Sequence, residues 1–207
     1  ANFDLPKQLI QLSLRTGGET KEFHLVNDKE LIEEYLSEFF ETRIYFLQRT
    51  QGELMDIPKA SSVTIVSEAS LLSLQNNIPE HTIDELRLRF RANLELSGTE
   101  AFEEEWLFGD PGIGMRFQIG EVEMIGISPR ARCNVPPRDP FTGETDKSFV
   151  KNVIKSRKES LPKDSRLPKF GNFYHLTVNT YLPESEKGKI LKVGDQVQLI
   201  EPVELVN

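Results

Sequence analysis

With 207 residues, 38% of them hydrophobic and 28% charged, the chain is long enough to bury a substantial core and too apolar for disorder. Its net charge of −8, from 25 Lys and Arg against 33 Asp and Glu, argues against binding nucleic acid through phosphates, so any cationic site must be local. A single cysteine, Cys133, rules out an internal disulfide or a Cys-rich zinc site, and no apolar run approaches the roughly 20 residues of a membrane-spanning helix.

The opening "ANFDLPKQL" has neither the basic nor the apolar region of a signal peptide, and it lacks an initiator Met, as a trimmed N-terminus or a boundary within a longer chain would. A reducing, cytoplasmic compartment is the default expectation. "LIQLSLR" alternates Ile10, Leu12 and Leu14 with polar residues, the period of a half-buried strand; "TGGET" supplies a turn and "KEFHLV" a returning strand. Asn27, three residues before Glu30, marks a helix start. Leu31, Ile32, Tyr35, Leu36, Phe39 and Phe40 then recur at helical spacing, and "RIYFLQ" reads as the strand that follows.

"SVTIV" (62–66) is a further strand, running into a helix with Ser67 as cap and Leu71, Leu72 and Leu74 as its apolar positions. "ANLELSG" reads as a strand ending at a turn glycine, and "RFQIGEVEMIGIS" as two strands in a tight hairpin about Gly120. Residues 134–147 form a Pro/Gly/Asp loop, 148–158 a short helix, and "ESLPKDSRLPKFG" another loop. "NFYHLTVNT", "KILKV" and "QVQLI" close the chain as strands, with "VGDQ" as a turn. Many short strands and about three helices, without βαβ alternation, predict a mainly β fold with peripheral helices, best met by a twisted barrel or closed sheet. A small β/α lobe over residues 1–55 and a main domain over 56–207 is the expected division, with a soft boundary near "TQGELMDIPKAS".

Cys133 stands in "SPRARCNVPPRDPFTGE", between Arg130 and Arg132 and ahead of Pro136 and Pro137. A lone cysteine is more often a small buried hydrophobe than a working thiol. Neighbouring cations stabilise a thiolate, however, and a proline-rich loop is an odd place for a core residue. In "RLRFRAN", Arg87, Arg89 and Arg91 alternate with Leu88, Phe90 and Ala92, so a strand here would turn all three arginines to one face. That face is either a salt-bridged edge or a cationic wall for an anion. Glu103, Glu104 and Glu105, beside Trp106, read as a solvated face or as partners for those arginines. The glycines of "GDPGIGMRF" follow no strand-to-helix signature, and His24, His81 and His175 are too scattered to imply a catalytic triad.

Four segments in order, "TIVSEASLLSLQ", "RFRANLELSG", "AFEEEWLF" and "RARCNVPPRDPFTGE", followed by "GNFYHLTV" and "LKVGDQVQLI", resemble a MOSC domain, the C-terminal domain of molybdenum cofactor sulfurase. The branch they are most similar to contains the mitochondrial amidoxime-reducing component. The likeness covers residues 60–200 and rests on the order of the segments and on the RC-x5-DP-x-TG pattern. It implies a β-rich barrel holding the molybdenum pyranopterin cofactor (molybdopterin), with Cys133 as the metal ligand or sulfur carrier and Ala131 and Arg132 beside it. It implies cofactor contacts at Arg91 and Asn93, in a segment where Ala92 replaces the family's proline, and at Ser67 and Glu68. A dithiolene already supplies two sulfurs, so one added protein thiolate suffices for molybdenum, and the cofactor phosphate needs cationic or helix-N-terminal donors. The family's Lys-Ser motif for that phosphate has no counterpart ahead of "LIEEYLSEFFETRIYFLQ", so a fragment or short variant with weakened cofactor retention is the expectation. The implied activity is reduction of N-hydroxylated or N-oxide compounds, small-molecule substrates, with electrons from a separate protein because no flavin, haem or iron–sulfur signature is present. A non-redox module carrying sulfur as a Cys133 persulfide is the alternative, and a cofactor-free scaffold a third; pyridoxal phosphate binding is a further attribute attached to the family.

Overall fold

The computed structural model describes residues 2–4, 6–14, 17–47 and 63–205. The chain forms two compact units, Ala1–Gly52 and Glu53–Asn207.

In the first unit, β1 (Asn2–Asp4), β2 (Leu9–Leu12) and β3 (Lys21–His24) pair antiparallel in that order. The helix α1 (Lys29–Phe39) follows. Its N-cap is Asp28 rather than Asn27, and the Asp28 carboxylate reaches back to accept from the His24 amide (2.8 Å). Of the six apolar positions on the expected helical stripe only Ile32 is fully buried, while Leu31, Phe39 and Phe40 are more than half exposed. Residues 43–47 of the expected "RIYFLQ" strand are irregular, and Gln48 lies outside the described residues. Side chains of α1 satisfy this backbone instead: Ser37 Oγ accepts from the Ile44 amide and Glu33 Oε1 from that of Phe46, both at 2.9 Å.

The second unit is built on a six-stranded sheet. Its strands are β4 (Thr64–Ser67), β5 (Leu94–Leu96), β6 (Ile113–Ile119), β7 (Val122–Ala131), β8 (His175–Tyr181) and β9 (Val197–Glu204), in the order β5-β4-β8-β7-β6-β9. The mainly β fold with peripheral helices is present; among the described residues no pairing joins β5 to β9, so the barrel closure expected from the sequence is not among the observed ladders. Only β4 and β5 run parallel. The β6–β7 hairpin turns at Gly120 as expected. Pro202 is tolerated within β9 because that strand lies at a sheet edge. The expected strand "KILKV" is a loop, closed by Asp195 through bonds to Lys192.

Three helices cover the sheet: α2 (Glu68–Asn77), α3 (Ile83–Phe90) and α4 (Phe149–Glu159). The alternation around Arg87, Arg89 and Arg91 therefore misled, because the segment is helical up to Phe90. Thr82 caps α3 by accepting from the Glu85 amide (3.2 Å), a Thr-x-x-Glu start. Leu86 and Phe90, four residues apart, face the core, which a strand's period of two would not achieve. They join Val66, Leu71, Leu74, Phe102, Phe149 and Leu176 in one apolar cluster. Ile65, Phe108, Phe117, Met124 and Val178 form a second. Leu176 and Val178, two residues apart on β8, belong to different clusters, and Thr177 between them has a left-handed backbone (φ 76°). β-branched residues rarely adopt that conformation; here it reverses the strand's facing, beside the register irregularity at Pro129–Ala131 of β7.

Candidate molybdenum-cofactor site

β7 delivers the cysteine. Its last residue, Ala131, pairs with His175, and the Arg132 amide donates to Tyr174 O (3.1 Å), which extends the ladder by one step. Cys133 is the next residue, and its thiol is free and exposed. The chain then turns on the buried Pro136 and Pro137 and closes on itself. Asp139 N donates to Glu144 O (2.7 Å) and Asp146 N to Pro137 O (2.8 Å). The Asp139 carboxylate accepts from the amides of Phe141 (2.8 Å) and Thr142 (2.6 Å), with Gly143 at φ 79° completing the turn. Those amide bonds, Thr142's foremost, hold the Asp139 carboxyl below its usual range. The DP-x-TG half of the motif is thus loop-closing chemistry: Asp ties two amides, and Gly supplies the positive φ.

Cations converge on the loop's start. Arg132 is half-buried; its Nη2 donates to Phe90 O (2.7 Å), its guanidinium lies over the Phe90 ring (5.5 Å), and its Nε is buried without a partner among the described residues. Burial, and then the neighbouring charges of Arg130 and Arg91, pull the Arg132 pKa down, while Cys133 and Tyr174 act the other way. Arg130 donates to Asn179 Oδ1 (2.9 Å). Arg91, exposed, occupies the left-handed C-cap of α3 (φ 54°). Tyr174, which the sequence reading did not single out, has a buried hydroxyl without a partner among the described residues, and burial pushes its pKa up to about 12. The electrostatic neighbours of that hydroxyl are Arg132, Cys133 and Arg89.

The remaining candidates divide. The arginines do not form one wall. Arg87 binds Glu95 (2.6 Å), Asp84 (2.8 Å) and Glu68 (3.3 Å) at the surface, and Arg89 is buried in ion pairs on another face of α3. The reason is helical geometry, which spreads alternate residues around the axis. Nor is the Glu103–Glu105 run a solvated face, because Glu104 and Glu105 are buried, Glu105 against Arg157 and Ser165, and Glu104 accepting from Ser70 Oγ (2.7 Å). Ser67 takes the N-cap position of α2, but its hydroxyl lies 2.7 Å from Thr99 Oγ1 and makes no cap bond. Glu68 begins α2 and pairs with Arg87. Asn93 Oδ1 is used by Thr64, accepting from its amide (2.9 Å) and hydroxyl (3.1 Å). Because β4 and β5 run parallel from Ile65–Leu94 to Ser67–Leu96, Asn93 and Ser67 stand at opposite ends of β4, about 10 Å apart along the strand. β4 and β7 both run antiparallel to β8, so Ser67 and Cys133 follow the same sheet direction. A cavity of about 460 Å³ opens elsewhere, around Gly109, Asp110, Arg166 and Lys169; its Lys169–Asp110 pair neutralises part of its charge, and it has no thiol.

A protein-family model for the MOSC domain matches residues 47–198. The chain belongs to the MOSC domain family. Relatives of this MOSC chain include mitochondrial amidoxime reducing component 2 of Rattus norvegicus, 32% identical over 145 residues, and of Bos taurus, 32% over 146. Mitochondrial amidoxime-reducing component 1 of Homo sapiens is 28% identical over 145 residues. Each match covers 68% of this chain and 37% of the relative, so the chain spans well under half the length of these proteins. Among the described residues no helix is long and apolar enough to cross a membrane.

The residues at Cys133 fit an anionic, sulfur-bearing cofactor. An exposed soft sulfur donor stands beside the Arg132 guanidinium. Arg132 Nε and the Tyr174 hydroxyl, without partners among the described residues, are donors that a phosphate or pterin carbonyl would satisfy. Among the described residues no three His, Cys, Asp or Glu side chains converge on a metal position, so a metal held at Cys133 would bring most of its own ligands.

Proposed function

We propose that this MOSC domain holds the molybdenum cofactor and, with it, reduces N-hydroxylated or N-oxide-type compounds. The observation that carries the reading is the sole thiol, exposed just past the end of β7 beside Arg132, around which Arg91 and Arg130 also gather, with two buried donors that lack partners among the described residues. Cys133 would ligate the metal. Arg132 Nε, Arg91 and the Tyr174 hydroxyl would bind the cofactor's anionic and carbonyl oxygens, with Ala131 supplying the strand end that orients them. Ser67 and Glu68 at the head of α2, and the remaining Nδ2 of Asn93, are the outer candidates for cofactor contact, although each already has a structural partner. The cofactor, when bound, would supply the two-electron redox chemistry. The protein's part is to hold it, to neutralise its charge with fixed guanidinium groups, and to present the Cys133 sulfur to it.

Electrons would come from a separate donor protein docking near the exposed thiol, and the relatives' names favour an organellar setting over the cytoplasmic default. The exposure of Cys133 also favours a second reading, in which it carries sulfur as a persulfide. Metal analysis and intact-mass measurement on freshly purified protein separate the two. Stoichiometric molybdenum, lost in Cys133→Ser with unchanged unfolding midpoint, supports the reductase. A metal-free protein carrying one extra sulfur on Cys133 supports the carrier.

A further inference from the structure

The last turn of α3 grips the Cys133 segment on both flanks. Before the cysteine, Arg132 Nη2 donates to Phe90 O at 2.7 Å. Behind it, Arg89 Nη1 donates to Pro136 O, also at 2.7 Å. Arg89 and Phe90 are consecutive, so a single helical turn sets the position of residues 132 and 136.

Arg89 is itself held rigidly. Its side chain is 2% exposed, and Nε and Nη2 both donate to Glu85 Oε1, at 2.8 and 2.6 Å. That same oxygen lies 2.8 Å from His81 Nδ1, and His81 Nε2 lies 3.2 Å from Asp146 Oδ2. The His81 ring packs edge-on against Phe149 of α4 (5.2 Å), and the Arg89 guanidinium lies over the same ring (5.0 Å). The series Pro136, Arg89, Glu85, His81, Asp146 therefore starts three residues after Cys133 and ends where the loop enters α4. All three guanidinium nitrogens of Arg89 are engaged and its side chain is buried, which suits it to holding the loop rather than to meeting an anion from solvent.

We infer that Arg89 is a positioning residue, locked by Glu85 and His81, which fixes the loop behind Cys133 so that the thiol stays beside Arg132. Its functional meaning rests on the proposed role of Cys133, but the clamp itself is a property of the folded chain. The planar fork of Arg bonds Glu85 and Pro136 at once, whereas a lysine ammonium at the end of a flexible stem cannot span both with the same geometry.

The test is hydrogen–deuterium exchange on the full chain at one fixed pH, comparing wild type with Arg89→Lys and His81→Phe. The second variant keeps the ring packing on Phe149 and removes the links to both Glu85 and Asp146. In both, the amides of Asp139, Gly143 and Asp146 are expected to lose protection about tenfold or more, the scale of one charge-assisted hydrogen bond, while those of Phe117 and Met124 in the β6–β7 hairpin keep theirs. Unchanged loop protection in both variants overturns the inference, and so does an equal loss in the hairpin, which would mark a general stability effect. Molybdenum content measured on the same wild-type sample judges the proposed function separately: a metal-free wild type would sink that reading and leave the exchange result to decide the clamp.

Discussion

Glu104 stands in the core at 3% exposure, accepting from Ser70 Oγ, which in turn accepts from the Phe102 amide (2.6 Å). Desolvation is the main cause that pushes its pKa up to about 7 from 4.5, against the opposing bond from Ser70 and the field of Arg157. The folded protein therefore binds this proton more tightly than the unfolded chain does. Below about pH 4.5 both states are protonated and Glu104 contributes nothing; from there to about pH 7 stability falls as the unfolded chain alone ionises, and above that it levels off. The gap, about 7 less 4.5, corresponds to about 3 kcal/mol at roughly 1.4 kcal/mol per pH unit. Glu104→Gln imitates the protonated form and keeps an acceptor for Ser70. Urea unfolding of both proteins from pH 4.5 to 8.5 gives the difference curve, which cancels shared titrations such as that of His175, whose pKa burial lowers. The variant should match wild type near pH 4.5 and exceed it by about 2–4 kcal/mol at pH 8. A flat difference curve, or a variant weaker than wild type at every pH, would refute the argument that burial rather than pairing governs Glu104.

Two further outcomes follow from backbone geometry. Gly126 of β7 lies so close to the 3-10 helix at Glu103–Leu107 that a Cβ would sit 1.6 Å from Leu107 O, and backbone cannot yield as a side-chain tip can. Gly126→Ala should cost at least the roughly 1–3 kcal/mol of ordinary core overpacking, read from thermal or urea unfolding; an unperturbed midpoint would contradict the close approach. Arg91→Gly should relieve the left-handed strain at the α3 C-cap and raise stability by up to about 1 kcal/mol. It should at the same time lower molybdenum content on reconstitution with cofactor, and equal loading of variant and wild type would show that Arg91 makes no cofactor contact.

Periodicity and turn chemistry alone located β2, β3, α1, α2, the β6–β7 hairpin, α4 and β8, because each buries one face at its own period or ends at a glycine or cap. The single cysteine between arginines, and the Asp-Pro-x-Thr-Gly that follows it, were visible as a motif because loop closure needs those residue types in that order. The α3 segment misled because alternation of Arg with Leu and Phe over five residues satisfies a strand's period, while the deciding Thr82–Glu85 cap and the Leu86–Phe90 spacing extend beyond that window. Burial of Glu104 and Glu105 was unreadable too, since three adjacent glutamates look solvated until Arg157, Ser165 and Ser70 arrive from segments distant in sequence. Tyr174 and the division of labour among the arginines depend likewise on which chain ends meet. Sequence sets what each segment can bury, but the packing of α3 against the loop decides that Arg87 faces carboxylates, Arg89 grips Pro136, and Arg91 stays exposed at the helix end.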